Sequence, residues 1–216
     1  MLSLGVLTAG IGAVVQDHAA SANARRVATG VNAALAPVAS TGPHRGRVAF
    51  TDGRLHTAER DLRVLNESGV IRRVRIDALV YESGTRRVAF VGGAITRGPV
   101  GSETLVEPPP ITAGEEVLVV GAPRLGGTGA VAGRDVDAVL RTNVTHERSR
   151  LGRGHYRVAI ETAAPDPLAR HFEARGIDVT RRDLDDDGVT SVVADFTGQR
   201  VGYLVVHDLD LEVRHG

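Results

Sequence analysis

The run Tyr203-Leu-Val-Val-His207-Asp-Leu209-Asp-Leu211-Glu-Val213-Arg214 decides the fold class. From Tyr203 every second side chain (Tyr203, Val205, His207, Leu209, Leu211, Val213) belongs to one series, while Asp208, Asp210, Glu212 and Arg214 belong to the other. A period of two marks a half-buried strand with one wet face. It also fixes register, because a slip of one residue would turn the apolar series to water. His207 falls in the apolar series, which predicts a core imidazole.

Upstream of this strand the chain from Arg47 is a succession of short β-branched runs separated by turn residues. Arg47 to Thr51, the dipeptide Asp52-Gly53 and Arg54 to Leu65 predict a hairpin, closed by Asn66-Glu67-Ser68-Gly69. Val70 to Ile76, then Ala78 to Glu82 and Arg86 to Val91 around Ser83-Gly84, predict further strands. Pro108-Pro109-Pro110 is a connector, since proline cannot donate to a ladder. Glu115 to Gly121, Val136 to Thr145, Tyr156 to Thr162, Ile177 to Arg181 and Val189 to Asp195 continue the series to about ten strands. The stretch Gly121 to Gly133, with five glycines, reads as a flexible loop. One short helix is expected among the strands, with Asp166 as N-cap, Pro167 in its first turn, Leu168 and Phe172 on one face and Gly176 as stop. The fold class is therefore mainly β, a sandwich or long meander, with one short helix packed on the sheet.

The first 36 residues differ. Residues 2 to 15 carry no charge, and an alanine-rich stretch follows to Ala36, where Pro37 must end a helix. The division expected is 1–36, an apolar and alanine-rich helix, and 37–216, a β-rich body. Fourteen apolar residues are short for the roughly 20 of a membrane span, and they also suit a secretory signal, with Ala22-Asn23-Ala24 as a cleavage candidate, or a buried core helix. Gly5, Gly10 and Gly12 favour the membrane, because glycine costs about 1 kcal/mol in a soluble helix but lets membrane helices pack closely. The missing basic flank questions whether Met1 is the natural start.

Composition narrows the chemistry. All 26 basic residues are arginine, balanced by 26 acidic ones, and cysteine is absent. Lysine-based phosphate loops and Schiff bases, thiol nucleophiles and thiolate metal sites are excluded, and no net field draws the chain to nucleic acid. The remaining catalytic patterns fail: His146-Glu147 has Arg150 where a zincin needs its second histidine, no Gly-x-Ser-x-Gly elbow occurs, and Gly127 to Gly133 is a residue too long for a dinucleotide fingerprint. No catalytic residue and no enzyme activity are expected.

Two patterns offer binding chemistry. Asp183, Asp185 and Asp187, followed by Gly188, alternate like the first half of a calcium loop, although position 12 is Ala194 rather than glutamate; the competing reading is a solvated acidic turn. Asn66-Glu67-Ser68 and Asn143-Val144-Thr145 are glycosylation acceptors, two among only four asparagines, and point to exposure outside the cell.

An apolar N-terminal segment running into an alanine-rich helix, then short strands bearing acceptor asparagines, resembles the pilin-like exported proteins of haloarchaea. Leu79-Val80-Tyr81-Glu82 with Arg87-Val88-Ala89-Phe90, the proline run, and Tyr156 to Thr162 leading to Arg170 to Gly176 are similar to stretches of that group. The resemblance implies a pilin-like α+β fold and a non-enzymatic, membrane-anchored surface or envelope subunit. Its N-terminal helix would contact membrane lipid and assemble with copies in an oligomer or filament, the body lying outside. The alternative is an extracellular β-rich binding module with a calcium-stabilised acidic turn.

Overall fold

The computed structural model describes residues 4–216, with side chains described from His18 onward except Pro37. Met1, and the expectation about the natural start, lie outside the described residues. Helix α1 (Leu4–Leu35) is followed by a 3-10 turn at Ala36–Ala39. Thirteen strands then follow: β1 (Gly42–Ala58), β2 (Asp61–Asn66), β3 (Gly69–Arg75), β4 (Ala78–Ser83), β5 (Arg86–Val91), β6 (Ala94–Pro99), β7 (Thr104–Glu107), β8 (Ile111–Ala113), β9 (Val117–Arg124), β10 (Ala130–Glu161), β11 (Asp178–Arg182), β12 (Ser191–Asp208) and β13 (Glu212–His215). Helix α2 (Pro165–Glu173) lies between β10 and β11. The architecture is mainly β with an N-terminal helix and one short helix, as the sequence predicts.

The strands are hydrogen-bonded in the order β7-β6-β5-β4-β1-β10-β12-β9-β8. The 32-residue β10 joins two layers: its first part pairs with β1 and β13, its last part with β12 and β2. The partner changes from β1 to β12 at Val144/Thr145, and register shifts at Arg150/Gly152 and Gly154/Tyr156 fall within the β12 pairing, where bulges bend a strand. Two cores result. One lies between α1 and the first layer and holds Val48, Phe50, Leu55, Tyr81 and Leu140. The other lies between the layers and holds Val80, Val91, Val120, Val158, Ile160 and Phe196, with Leu168 and Phe172 of α2 closing it.

Several sequence expectations are corrected. Asp52-Gly53 does not turn the chain, because β1 runs on to Ala58 and breaks only at Glu59-Arg60. Gly53 instead bends the strand at φ 130° opposite Gly133 at φ 146°, and a Cβ there would stand 2.5 Å from the Glu82 carbonyl oxygen. Val136 to Thr145 and Tyr156 to Thr162 are parts of one strand. Helix α2 starts two residues early, with Ala164 at its cap and no side-chain cap bond, so Asp166 is not the N-cap; it pairs with Arg181 at 3.0 Å.

The segment read as a flexible glycine loop is mostly strand, and its remainder is closely packed. Leu125 is fully buried, the Leu211 N–H donates to the Leu125 carbonyl at 2.7 Å, and a Cβ on Gly127 would meet the Leu211 carbonyl oxygen at 1.8 Å. The glycines there serve backbone approach.

In the deciding stretch, Leu209, Leu211 and Val213 do enter the core beneath α1. Its second face is not wet throughout, for Leu204 and Val206 pack into the core between the layers. His207 is no core imidazole: it is half-buried opposite His146, their Nδ1 atoms 3.0 Å apart. Burial first, and the neighbouring His146 second, hold its pKa below the ordinary 6.5.

Candidate functional site

Two places concentrate specific chemistry: the seat of α1 and the sheet face beneath the acidic turn. On α1, Ala24, Val27, Ala28, Val31 and Leu35 are buried. Their spacing of three and four residues forms one apolar stripe, laid on Val48, Phe50, Leu79, Phe90 and Ile95. Fully burying Val27, Val31 and Leu35 contributes roughly 1.5–3 kcal/mol each. The seat has a polar lock: the Asn23 amide nitrogen donates to the Tyr81 hydroxyl at 2.6 Å and its oxygen accepts from the Thr51 N–H at 3.2 Å. The Tyr81 hydroxyl donates to the Asp52 carbonyl at 2.6 Å. A buried network satisfied in this way fixes position as well as adding stability. Asn32 adds a bond to Glu107 at 3.2 Å.

The acidic turn lies over the second layer. Asp183, Asp185 and Asp187 each present a carboxylate oxygen within 4.8 Å of the others, so the structure does gather the three residues. Each has protein partners. Asp183 accepts from the Gly188 N–H at 2.8 Å, and Asp187 from the Val189 N–H at 2.8 Å, as aspartates in tight turns do. Asp185 reaches inward, where Arg63 approaches it at 2.5 Å and Arg73 at 3.0 Å.

Beneath it is an ionic cluster that sequence reading missed. Arg63, with a side chain 4% exposed, also pairs with Asp61 at 3.1 Å and with Glu161, while Arg73 pairs with Asp61. Glu161 further accepts the Asp61 N–H at 2.7 Å. Burial pushes the Glu161 carboxyl above its ordinary range against the opposing pull of Arg63. Asp61, Glu161 and Asp185 have the mutual spacing of a metal site, but the Arg63 guanidinium bonds to all three and supplies the positive charge itself. The signal available in sequence was the odd placement of Arg63 between Leu62 and Val64 in a strand whose first five residues are all buried.

A groove of about 740 Å³ beside Gly126 and Gly127 is lined by Arg75, Arg124, Asp77 and Asp208. Its guanidiniums are taken: Arg124 pairs with Asp208, and Arg75 with Glu59 and with Asp77 at 3.1 Å.

The acceptor asparagines stand apart from these sites. Asn66 ends β2 in the turn to β3, its side-chain oxygen accepting the Ser68 N–H at 2.9 Å. Asn143 lies exposed within β10, directly across from Pro43 of β1.

Among the described residues no helix is long and apolar enough to cross a membrane. In sequence, the apolar run of α1 gives way at Gln16-Asp17-His18, short of the roughly 20 residues a span takes. The chain belongs to a family of unknown function, DUF7289, whose model matches residues 1–212. No curated protein and no solved structure matches it.

Proposed function

We propose that the chain is a non-enzymatic surface subunit of pilin-like or envelope type, attached to the membrane and to its own copies through the start of α1, with the β body outside the cell. The observation supporting this best is the division of labour along α1. Its Asn23–Leu35 half is amphipathic and committed to the sheet, whereas residues 2–15 of the sequence carry no charge, are mostly apolar and lie upstream of that seat. A helical stretch with no polar face needs apolar cover on every side, which lipid and neighbouring helices provide. Gly5, Gly10 and Gly12 permit close approach of such neighbours. The exposed turn at Asn66 and the exposed Asn143 suit glycosylation, which takes place on the outer side.

The test is fractionation of the full chain beside a Val6→Asp/Ile11→Asp variant. Wild type is expected in the membrane fraction, released by detergent but not by high salt, and the variant in the soluble fraction. A wild-type chain found wholly in the soluble fraction removes the proposal.

The alternative, an extracellular module stabilised by calcium, has the convergence of Asp183, Asp185 and Asp187 in its favour. Against it, two guanidiniums already occupy Asp185.

A further inference from the structure

Beside the point where α1 meets the body lies a cavity of about 180 Å³ whose lining is unlike that of the groove at Gly126. Three arginines, Arg25 of α1, Arg86 of β5 and Arg97 of β6, share it with the hydroxyl residues Ser21, Ser102 and Thr104, and no carboxylate lines it among the described residues. Arg87 of β5 pairs with Glu82 at 3.3 Å and with Glu103 at 3.5 Å, so the carboxylates nearest in sequence to Arg86 and Arg97 are engaged by another arginine. Thr104 donates its hydroxyl to the Arg97 carbonyl at 3.2 Å, which ties the β6–β7 hairpin on which Arg97 and Ser102 stand. Among the described residues Arg25 and Arg97 form no ion pair. Arginine forks and hydroxyls converging on one small polar cavity are the donor set that a phosphate oxyanion requires.

The cavity's place along the helix identifies the source of that phosphate. Ser21 and Arg25 stand six and ten residues after Val15, the last residue of the apolar run. At 1.5 Å per residue this is about 9–15 Å along a continuous helix. The polar zone on each side of a bilayer is about 5–8 Å deep, so a helix inserted to Val15 carries Ser21 to the outer edge of the headgroups and the Arg25 backbone about 7 Å beyond it, a distance that the long arginine side chain reaches back across.

We infer that this cavity binds the headgroup phosphate of an anionic phospholipid, with Arg25 and Arg97 as its principal cationic contacts and Ser21 and Ser102 as hydroxyl donors. The inference rests on the proposed membrane attachment and gives it a lipid preference: the apolar run supplies the attachment, and the cavity selects anionic lipid.

The experiment is flotation of the full chain with vesicles of phosphatidylcholine alone and of phosphatidylcholine mixed with phosphatidylglycerol. Each mixture is run with wild type, with Arg25→Gln/Arg97→Gln and, as a charge-matched control, with Arg72→Gln/Arg182→Gln. Wild type is expected to partition more strongly into anionic vesicles, and the Arg25/Arg97 variant to lose about thirty-fold of that partitioning, the factor for two guanidiniums leaving an anionic surface. The control keeps its preference. Equal binding of wild type and the Arg25/Arg97 variant to anionic vesicles overturns the inference, as does an equal loss in the control, which would make the preference one of net charge. Inorganic phosphate, titrated by phosphorus NMR, separates the sources: binding of free phosphate without any vesicle preference overturns the lipid assignment. Failure to bind neutral vesicles, with the Arg25- and Arg97-dependent gain on anionic ones intact, refutes the apolar attachment and leaves the phosphate site standing.

Discussion

Replacing Arg63 by methionine removes a guanidinium from among three carboxylates while keeping most of the side-chain volume. Arg63 is 4% exposed, Glu161 3% and Asp61 9% by side chain, so water cannot take over its role without opening the second layer. Removing one partner of a buried ion pair costs about 3–5 kcal/mol, chiefly because the other charge is left buried and unpaired. A domain of this size loses about 2–4 °C of Tm per kcal/mol, so Arg63→Met should lower Tm by roughly 6–20 °C. Urea unfolding at pH 7, followed by circular dichroism and calorimetry, measures the loss. The raised Glu161 carboxyl adds a second signature. Its ionised form is what the variant strands, so the deficit is full above the raised pKa and shrinks as pH falls through it and the carboxyl takes up a proton. Adding Glu161→Gln and Asp185→Asn to Arg63→Met should restore a large part of the stability. A loss below about 1 kcal/mol with no pH dependence would refute this reasoning, since that is the behaviour of a solvent-screened surface pair.

Gly127→Ala should destabilise by several kcal/mol or prevent folding, because the new methyl would overlap the Leu211 carbonyl; Gly188→Ala, in open space though at φ 82°, should cost only about 1 kcal/mol or so, and urea midpoints compare the two. Burial foremost holds His56, His171 and His207 below the ordinary imidazole value, so the fold favours their neutral forms. That stabilisation is complete above about pH 6.5 and is lost as pH falls through the lowered values, so Tm should drop between pH 7 and pH 5, and less steeply in His207→Gln. Asp183, Asp185 and Asp187 already have backbone and arginine partners, so millimolar calcium should leave the Tm unchanged; a rise of several degrees, abolished by Asp183→Asn, would favour the calcium-stabilised module instead.

The strand content was legible because period two and turn dipeptides are local signals. The hairpins at Glu67-Ser68 and Gly84-Thr85 stand where those signals place them. Asp52-Gly53 carries the same local signal and misleads, because pairing along β10 continues through it and Gly53 answers to the neighbouring Tyr81 and Glu82. Gly127 misleads for the same reason: its contact, Leu211, is far away in sequence. The three aspartates of the turn could be named from spacing, but their arginine partners could not. Arg63 and Arg73 are brought beneath Asp185 only when β2 and β3 fold against the end of β10. Nor could the cavity at Arg25 and Arg97 be seen in sequence, since a helix and a distant hairpin build it together.

On the proposed function the β body stands outside the cell, tethered by α1. The chain has no cysteine, so a single Glu67→Cys substitution in the exposed β2–β3 turn gives a unique reporter. Intact cells are treated with a membrane-impermeant maleimide and compared with lysed cells, alongside a cytoplasmic cysteine protein as leakage control. Glu67→Cys is expected to label fully on intact cells and to remain in the membrane fraction. Labelling that appears only after lysis would contradict this placement.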